Sequence, residues 1–183
     1  MLTPKDILDF WFKEISPNMW WKKDLAFDKE IMQRFGEAHE AAVSNSLRST
    51  TGWQPSAHSY LAEIIILDQF SRNIYRDTPK AFSCDNQALL LSKEAIKKSF
   101  DQTLSAVERS FLYMPFMHSE SLNEHETAVT LYEKNGIQNN LDFEIQHKKI
   151  IEEFGRYPHR NSILGRKSTD EELVFLQQPN SSF

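Results

Sequence analysis

One stretch, residues 64–76, constrains this chain more than any other. It begins with four large apolar residues and continues as Asp-Gln-Phe-Ser-Arg-Asn-Ile-Tyr-Arg. At about 100° per residue, Leu61, Asp68 and Arg72 lie on one side of a helix, while Phe70 lies on the opposite side. A helix that is apolar on both sides is usually buried. The sequence therefore predicts a buried central helix on which one apolar stripe becomes polar halfway along.

The remaining chain carries signals for further helices. It has 183 residues but only five glycines, and it lacks long β-branched runs, which favours helix over sheet. Capping boxes are predicted at Ser105–Glu108 and Ser121–Glu124, a helix end at Gly136 and a left-handed helix cap at Gly155. We therefore expect a single all-α domain over residues 1–183, with about seven to nine helices. Short loops predict that consecutive helices pack as antiparallel hairpins.

Composition argues against several classes of partner and location. The net charge is −5, and acidic and basic residues are mixed along the chain, so no nucleic-acid partner is expected. The longest apolar run, residues 64–67, is far short of the roughly 20 residues that cross a bilayer, so no membrane association is expected. The N-terminus is typical of a helix start and not of a secretion signal. Cys84 is the only cysteine, which fits a reducing cytoplasm.

Three segments concentrate polar residues among aromatic ones: residues 68–76, 115–120 and 154–166. The first and third each place an Arg-Asn pair shortly after an aromatic residue. Since arginine binds carboxylates and phosphates through two parallel hydrogen bonds, this pattern predicts a pocket for an anionic small molecule. The predicted ligand-binding residues are Asp68, Arg72, Asn73, Arg76, His118, Arg156, His159, Arg160 and Asn161.

A polar stripe on a buried helix must find polar partners. We therefore expect a group of distant residues to converge: Asp68, Arg72, His118, Arg160 and Asn161. The candidates for acid–base catalysis are His118, Glu120 and His159, but the pattern does not decide whether any reaction takes place. The alternative is a purely structural cluster, in which Asp68 and Glu120 already neutralise the arginines.

A metal site near His118 is not expected. His118 and His125 are seven residues apart, roughly 10 Å along a continuous helix. Two imidazoles at that distance cannot both bind one zinc ion at about 2.1 Å. The sequence also has no Ser-His-Asp motif, no phosphate-binding glycine loop and no paired cysteines, and it predicts no cofactor.

Four ordered motifs carry a family resemblance: residues 9–12 (DFWF), 67–76 (LDQFSRNIYR), 115–120 (PFMHSE) and 154–161 (FGRYPHRN). The chain resembles a bacterial family known only as a domain of unknown function, whose fold is similar to tetratricopeptide repeats. The resemblance covers nearly the whole chain. It implies an all-α, tetratricopeptide-like fold and no particular activity.

Two functions follow as hypotheses. The first is a cytoplasmic protein that binds, and could act on, an anionic small molecule. The second is an interaction scaffold for a protein partner, as helical-repeat proteins often are, in which the polar cluster is purely structural. Convergence of the motif residues in a closed cavity would favour the first, and a spread over an open groove would favour the second.

Overall fold

The structure, a computed structural model, describes residues 2–182, and within them it contains helices and turns but no β-strand. The α-helices are α1 (Pro4–Asp9), α2 (Leu25–Val43), α3 (Leu47–Thr51), α4 (Ala57–Ile64), α5 (Ser71–Ile74), α6 (Asp85–Lys97), α7 (Ala106–Met117), α8 (Leu122–Asn135), α9 (Gln138–Phe154) and α10 (Asp170–Phe175). A π-helical turn, Ile65–Phe70, joins α4 and α5 into one continuous helix, and a second, Phe10–Glu14, extends α1. The predicted all-α fold is therefore confirmed.

The continuous helix over residues 57–74, called the central helix below, is the core of the domain. Helices α1, α2, α6 and α7 all pack against it. Leu61, Ile65 and Phe70 are completely buried on different sides of the helix, as the two apolar stripes predict. Asp68 is buried with them, with 1% of its surface exposed. The prediction of a buried central helix that carries a polar side chain inside the protein is confirmed.

Helices α7, α8 and α9 follow one another both in the chain and in space. Helix α8 packs on α7, and α9 packs on α8. The connections between them are only a few residues long, so neighbouring helices run in opposite directions. The tetratricopeptide-like arrangement of helix pairs stays a prediction. None of the helices described is long and apolar enough to cross a membrane.

Most predicted helix ends are present. Ser105 and Glu108 form a capping box, and Gly136 and Gly155 end α8 and α9 with φ angles of 79° and 68°. The capping box predicted at Ser121–Glu124 is wrong. Ser121 does stand at the N-cap of α8, but its side chain makes no capping hydrogen bond. The Glu124 carboxylate instead accepts a hydrogen bond from Lys93 Nζ, 2.6 Å away on α6.

The π-helical turn at Ile65–Phe70 is the main feature of the central helix that helical periodicity did not predict. Such turns insert one extra residue into an α-helix and occur frequently at functional sites. Asp68 lies within this turn, and Arg72 follows in the first turn of α5. The turn therefore sets the position from which both side chains reach the neighbouring helices.

Candidate functional site

Five charged or titratable side chains meet where the central helix, α6 and α7 approach the chain after α9, residues 155–182, called the C-terminal segment below. They form what we call the central cluster: Asp68, Arg72, Asp85, His118 and Arg160. Asp68 and Arg72 come from the central helix, Asp85 from the first residue of α6 and His118 from the end of α7. Arg160 closes the 3-10 turn Pro158–Arg160. As predicted from the sequence, Asp68, Arg72, His118 and Arg160 converge although they are far apart in the chain.

Asp68 holds two of these side chains through one oxygen atom. His118 Nδ1 lies 2.7 Å from Asp68 Oδ1, and Arg72 Nη1 lies 3.3 Å from the same atom. Arg72 Nη1 also donates to the Asp68 backbone carbonyl at 2.7 Å. The other carboxylate oxygen, Oδ2, accepts a hydrogen bond from Gln69 at 2.6 Å. The imidazole and the guanidinium are thus held against a buried and fully engaged carboxylate.

Asp85 joins the two arginines and was not predicted as a site residue. Arg72 donates to it twice, over 3.0 and 3.2 Å, and Arg160 Nη1 donates to Asp85 Oδ2 over 3.1 Å. Arg160 Nη2 donates to the backbone carbonyl of His118 over 3.1 Å. Considering residues 2–182, the buried Nε of Arg160 finds no acceptor. Two cations therefore share one carboxylate, and one buried donor stays unused.

Two aromatic rings flank Arg160. The rings of Phe82 and Tyr157 each have their centroid 4.6 Å from Arg160 Cζ. Contacts of this kind hold the flat guanidinium by cation–π attraction. They confine its hydrogen bonds to the edge of the group, so the orientation of Arg160 is fixed by the fold and does not depend on a ligand.

The electrostatic environment differs between the acidic and basic members of the cluster. Burial alone would raise the pKa of Asp68, but the Arg72 guanidinium and the hydrogen bonds from His118 and Gln69 hold that pKa well below its usual range. Burial, and then repulsion from Arg72, lowers the pKa of His118 despite the attraction of Asp68. Burial and the nearby Arg72 also lower the pKa of Arg160. At neutral pH the structure thus favours an ionised Asp68 beside a neutral His118.

His159 lies next to this cluster. Its ring centroid is 5.6 Å from that of Tyr157. Burial, and then repulsion from the adjacent Arg160, lowers the pKa of His159 to about 3. The side chain is therefore neutral at physiological pH and adds no positive charge to the site.

Two other predicted ligand-binding residues lie in a separate cluster, called the Asp28 cluster, which consists of Asp28, Asn73 and Arg76. Arg76 donates to both carboxylate oxygens of Asp28, over 2.6 and 2.7 Å, and Asn73 Nδ2 donates to Oδ1 over 2.8 Å. Asp28 is on α2, so the cluster ties that helix to the end of the central helix. Asn73 and Arg76 are therefore directed away from Asp68.

A third cluster, the Glu172 cluster, holds the C-terminal segment against the domain. It consists of Glu120, Arg156, Asn161, Arg166 and Glu172. Arg156 donates twice to Glu172, over 2.6 and 2.8 Å, and Arg166 donates twice to Glu120, over 2.7 and 2.9 Å. Asn161 links the two pairs, because its Nδ2 donates to Glu172 over 3.0 Å and its Oδ1 accepts from Arg166 over 2.9 Å.

The Glu172 cluster corrects one part of the predicted convergence. Asn161 follows Arg160 directly, yet its side chain bonds to Glu172 and Arg166 and not to the central cluster. Glu120 is likewise committed to Arg166 and to the backbone N–H of Tyr157. Of the three acid–base candidates, His118 and His159 are at or beside the central cluster, whereas Glu120 is in the Glu172 cluster.

Asp85 and its neighbour Phe82 are the residues that the sequence reasoning missed. An aspartate in the first turn of a helix is expected from the helix dipole alone, so Asp85 gave no signal beyond that of a helix start. As for metals, no group of three or more His, Cys, Asp or Glu side chains within residues 2–182 is arranged to hold an ion.

Comparison with known proteins identifies the family. The profile of a family described as "Bacterial protein of unknown function (DUF924)" matches residues 7–180. The chain belongs to this family. A solved structure of a protein of unknown function, ATU0120 from Agrobacterium tumefaciens, is similar with a TM-score of 0.87 and 40% sequence identity, over 95% of this chain and 96% of that chain. No curated protein matches the sequence. This DUF924 member thus shares its fold with a relative whose description names no activity.

Proposed function

We propose that the central cluster binds a small anionic molecule. The observation that carries the proposal is the sharing of Asp85: Arg72 and Arg160 both donate to this one carboxylate. Guanidinium groups form strong, paired hydrogen bonds with carboxylates and phosphates. Two guanidiniums held on one carboxylate have donor capacity left for a second anion.

The unused donors support this reading. In the described part of the chain, Arg72 Nε makes no hydrogen bond, and 21% of the Arg72 side chain is exposed. Arg160 has its buried Nε without an acceptor. A ligand anion would enter along the exposed edge of Arg72, where its negative charge relieves the repulsion between the two guanidiniums.

A structural role in a helical interaction scaffold is the second candidate, and one observation favours it. The four formal charges of Asp68, Asp85, Arg72 and Arg160 already balance, and each arginine has an ion pair within 3.3 Å. A buried ion pair of this kind can specify how helices pack without serving any ligand.

Thermal unfolding with and without anions separates the two candidates. The wild type is heated with sodium sulfate, sodium phosphate or glucose 6-phosphate, and with sodium chloride at equal ionic strength. A ligand at a hundred times its dissociation constant stabilises by about 2.7 kcal/mol, which raises the Tm of a chain of this size by about 5–10 °C.

The chain offers a matched control for this experiment. The Arg72 and Arg76 side chains are 21% and 23% exposed, and each pairs with an aspartate, but Arg76 is outside the central cluster. We expect Arg72→Ala to lose the anion-specific Tm increase and Arg76→Ala to keep it. A Tm that responds to every salt alike, or equally in both variants, would contradict anion binding and favour the scaffold.

A further inference from the structure

The chain contains two histidine–carboxylate pairs, and they differ at one nitrogen atom. His118 and His125 each place Nδ1 2.7 Å from a buried carboxylate oxygen, that of Asp68 and of Glu144 respectively. His125 Nε2 is also occupied, at 2.9 Å from the backbone carbonyl of Ser119. Among residues 2–182, His118 Nε2 has no hydrogen-bond partner. The two pairs share one arrangement, but only His118 keeps a ring nitrogen available.

The two histidines also differ in how far their side chains are exposed. The His125 and Glu144 side chains are both fully buried. The His118 side chain is 12% exposed, while its partner Asp68 is 1% exposed. His118 therefore reaches the surface of the protein with its carboxylate partner behind it, and His125 does not.

The hydrogen bond to Asp68 fixes the tautomer of His118. An ionised carboxylate can only accept hydrogen bonds, so Nδ1 carries the proton and donates a hydrogen bond to Asp68 Oδ1. Nε2 then carries the lone pair. A carboxylate that orients an imidazole in this way is the arrangement that prepares histidine to accept a proton.

We propose that His118, oriented by Asp68, is a general base that activates water to hydrolyse an ester bond in the anionic molecule held by Arg72 and Arg160. The inference rests on the proposed anion binding and names the chemistry of the same site. His118 is the catalytic residue, and Asp68 is a positioning residue. Water is the only co-reactant that the reaction requires.

His118 Nε2 accepts one proton from water while the water oxygen bonds to the carbonyl carbon of the ester. In the proposed step, the positive charge of Arg72, which is held on the same oxygen of Asp68 as the imidazole, stabilises the negative charge that develops on the carbonyl oxygen. The ester C–O bond then breaks, and the proton on Nε2 passes to the leaving alkoxide. The products are a carboxylic acid and an alcohol, and His118 returns to its neutral form.

The first test labels histidines in the wild-type protein, so it does not depend on the folding of any variant. Diethylpyrocarbonate acylates unprotonated, accessible imidazole nitrogens, and peptide mass spectrometry locates the product. We expect His118 to be acylated at least about tenfold faster than His125, and sulfate or phosphate to slow the reaction at His118. An unreactive His118 would overturn the inference. A reactive His118 that no anion protects would leave the base in place and contradict the proposed binding.

The second test measures hydrolysis directly. The probes are mono-p-nitrophenyl terephthalate, whose free carboxylate is held away from the ester by the ring, and neutral p-nitrophenyl benzoate. After subtraction of the rate without protein, we expect p-nitrophenolate release to be faster from the terephthalate ester, to rise with pH as His118 loses its proton, and to fall at least about 100-fold in His118→Gln. Equal rates in the wild type and His118→Gln would overturn general-base catalysis. Hydrolysis that depends on His118 but is equally fast for both probes would contradict only the anion binding.

Asp68→Asn separates positioning from mere support of the fold. Asparagine can donate to Nδ1 and stabilise the other tautomer, which carries the proton on Nε2. We expect kcat for the terephthalate ester to fall with little change in KM, and its pH profile to shift. A kcat and a pH profile unchanged in a folded Asp68→Asn protein would overturn the role of Asp68. Arg76→Ala, in the Asp28 cluster, is expected to keep the wild-type kcat and pH profile.

Discussion

Arg76 and Arg160 both lie against aspartates. Among the described residues, Arg76 is the single cation on its carboxylate, whereas Arg160 shares its carboxylate with Arg72. Asp28 accepts two hydrogen bonds from Arg76 at 2.6 and 2.7 Å, and these hydrogen bonds, against the opposing effect of burial, raise the pKa of Arg76. Asp85 is shared between Arg72 and Arg160, and burial together with Arg72 lowers the pKa of Arg160. Each aspartate holds an arginine, yet within residues 2–182 the fold gives Asp28 one cation and makes Asp85 share its charge between two.

The two clusters also differ in how their donors and acceptors are matched. In the Asp28 cluster, the two carboxylate oxygens receive three short hydrogen bonds from Arg76 and Asn73. In the central cluster, donors exceed the acceptors that reach them, since Arg160 Nε has no acceptor within the described residues. An arrangement with surplus donors is suited to an anion, whereas a complete one is suited to holding helices together.

The largest effect is expected from removing the shared carboxylate. Asp85→Asn leaves Arg72 and Arg160 facing each other, with Arg160 buried, and should lower the free energy of unfolding by about 3–5 kcal/mol. Asp28→Asn leaves the more exposed Arg76 and should cost about 1.5–3 kcal/mol. Urea unfolding measures both values. Sulfate should restore stability to Asp85→Asn more than to Asp28→Asn. Equal losses of stability in the two variants, restored equally by sulfate, would contradict the distinction between the two clusters.

A smaller effect is expected in the pH dependence of stability. Burial lowers the pKa of His159 to about 3, against about 6.5 in an unfolded chain. The unfolded state therefore binds a proton that the folded state does not. The contribution of His159 to the free energy of unfolding is fully present above pH 6.5. It is lost as the pH falls from 6.5 towards 3, with a slope of about 1.4 kcal/mol per pH unit.

His159→Asn should remove that part of the slope. His147, whose pKa burial also lowers to about 3, keeps its own contribution, so a residual acid sensitivity is expected. Urea unfolding at pH 7.5, 6 and 5 measures the slope. Arg76→Ala, in the Asp28 cluster, should lower the free energy of unfolding by the same amount at all three pH values, so that its slope against pH does not change. A His159→Asn slope identical to that of the wild type would contradict the burial of a neutral histidine at this position.

The fold was predictable where local rules decide it. The caps at Ser105 and Gly155 follow from short-range hydrogen bonds and left-handed backbone geometry, and the burial of residues 61–70 follows from their apolar surroundings. The π-helical turn at Ile65–Phe70 was not predictable in this way. It inserts one residue into the helical spacing. The packing of α2, α6 and α7 around the helix accommodates this residue, and helical periodicity carries no information about that packing.

The candidate site was predictable to the extent that burial forces polar groups together. Asp68 and Arg72 required polar partners inside the protein; His118 provides one for Asp68, and Asp85 provides one for Arg72. Asn161 could not be placed, because its direction depends on Glu172, which reaches it only when the C-terminal segment folds back. Asp85 was missed because an acidic residue at the start of a helix is ordinary in sequence.

The smallest effect is expected at Asn73, which tests whether the Asp28 cluster is complete without it. Asn73→Ala removes one hydrogen bond of 2.8 Å to Asp28, but both carboxylate oxygens keep their bonds to Arg76. No buried charge is left alone, so the loss should be about 1 kcal/mol. Asn161→Ala is the matched variant, since it deprives both Arg166 and Glu172 of a partner, and it should cost more, about 1–3 kcal/mol. The sulfate-dependent rise in Tm should be the same in Asn73→Ala as in the wild type, because Asn73 does not reach the central cluster. A loss of that rise in Asn73→Ala would place Asn73 in the anion site after all and remove the distinction between the two regions.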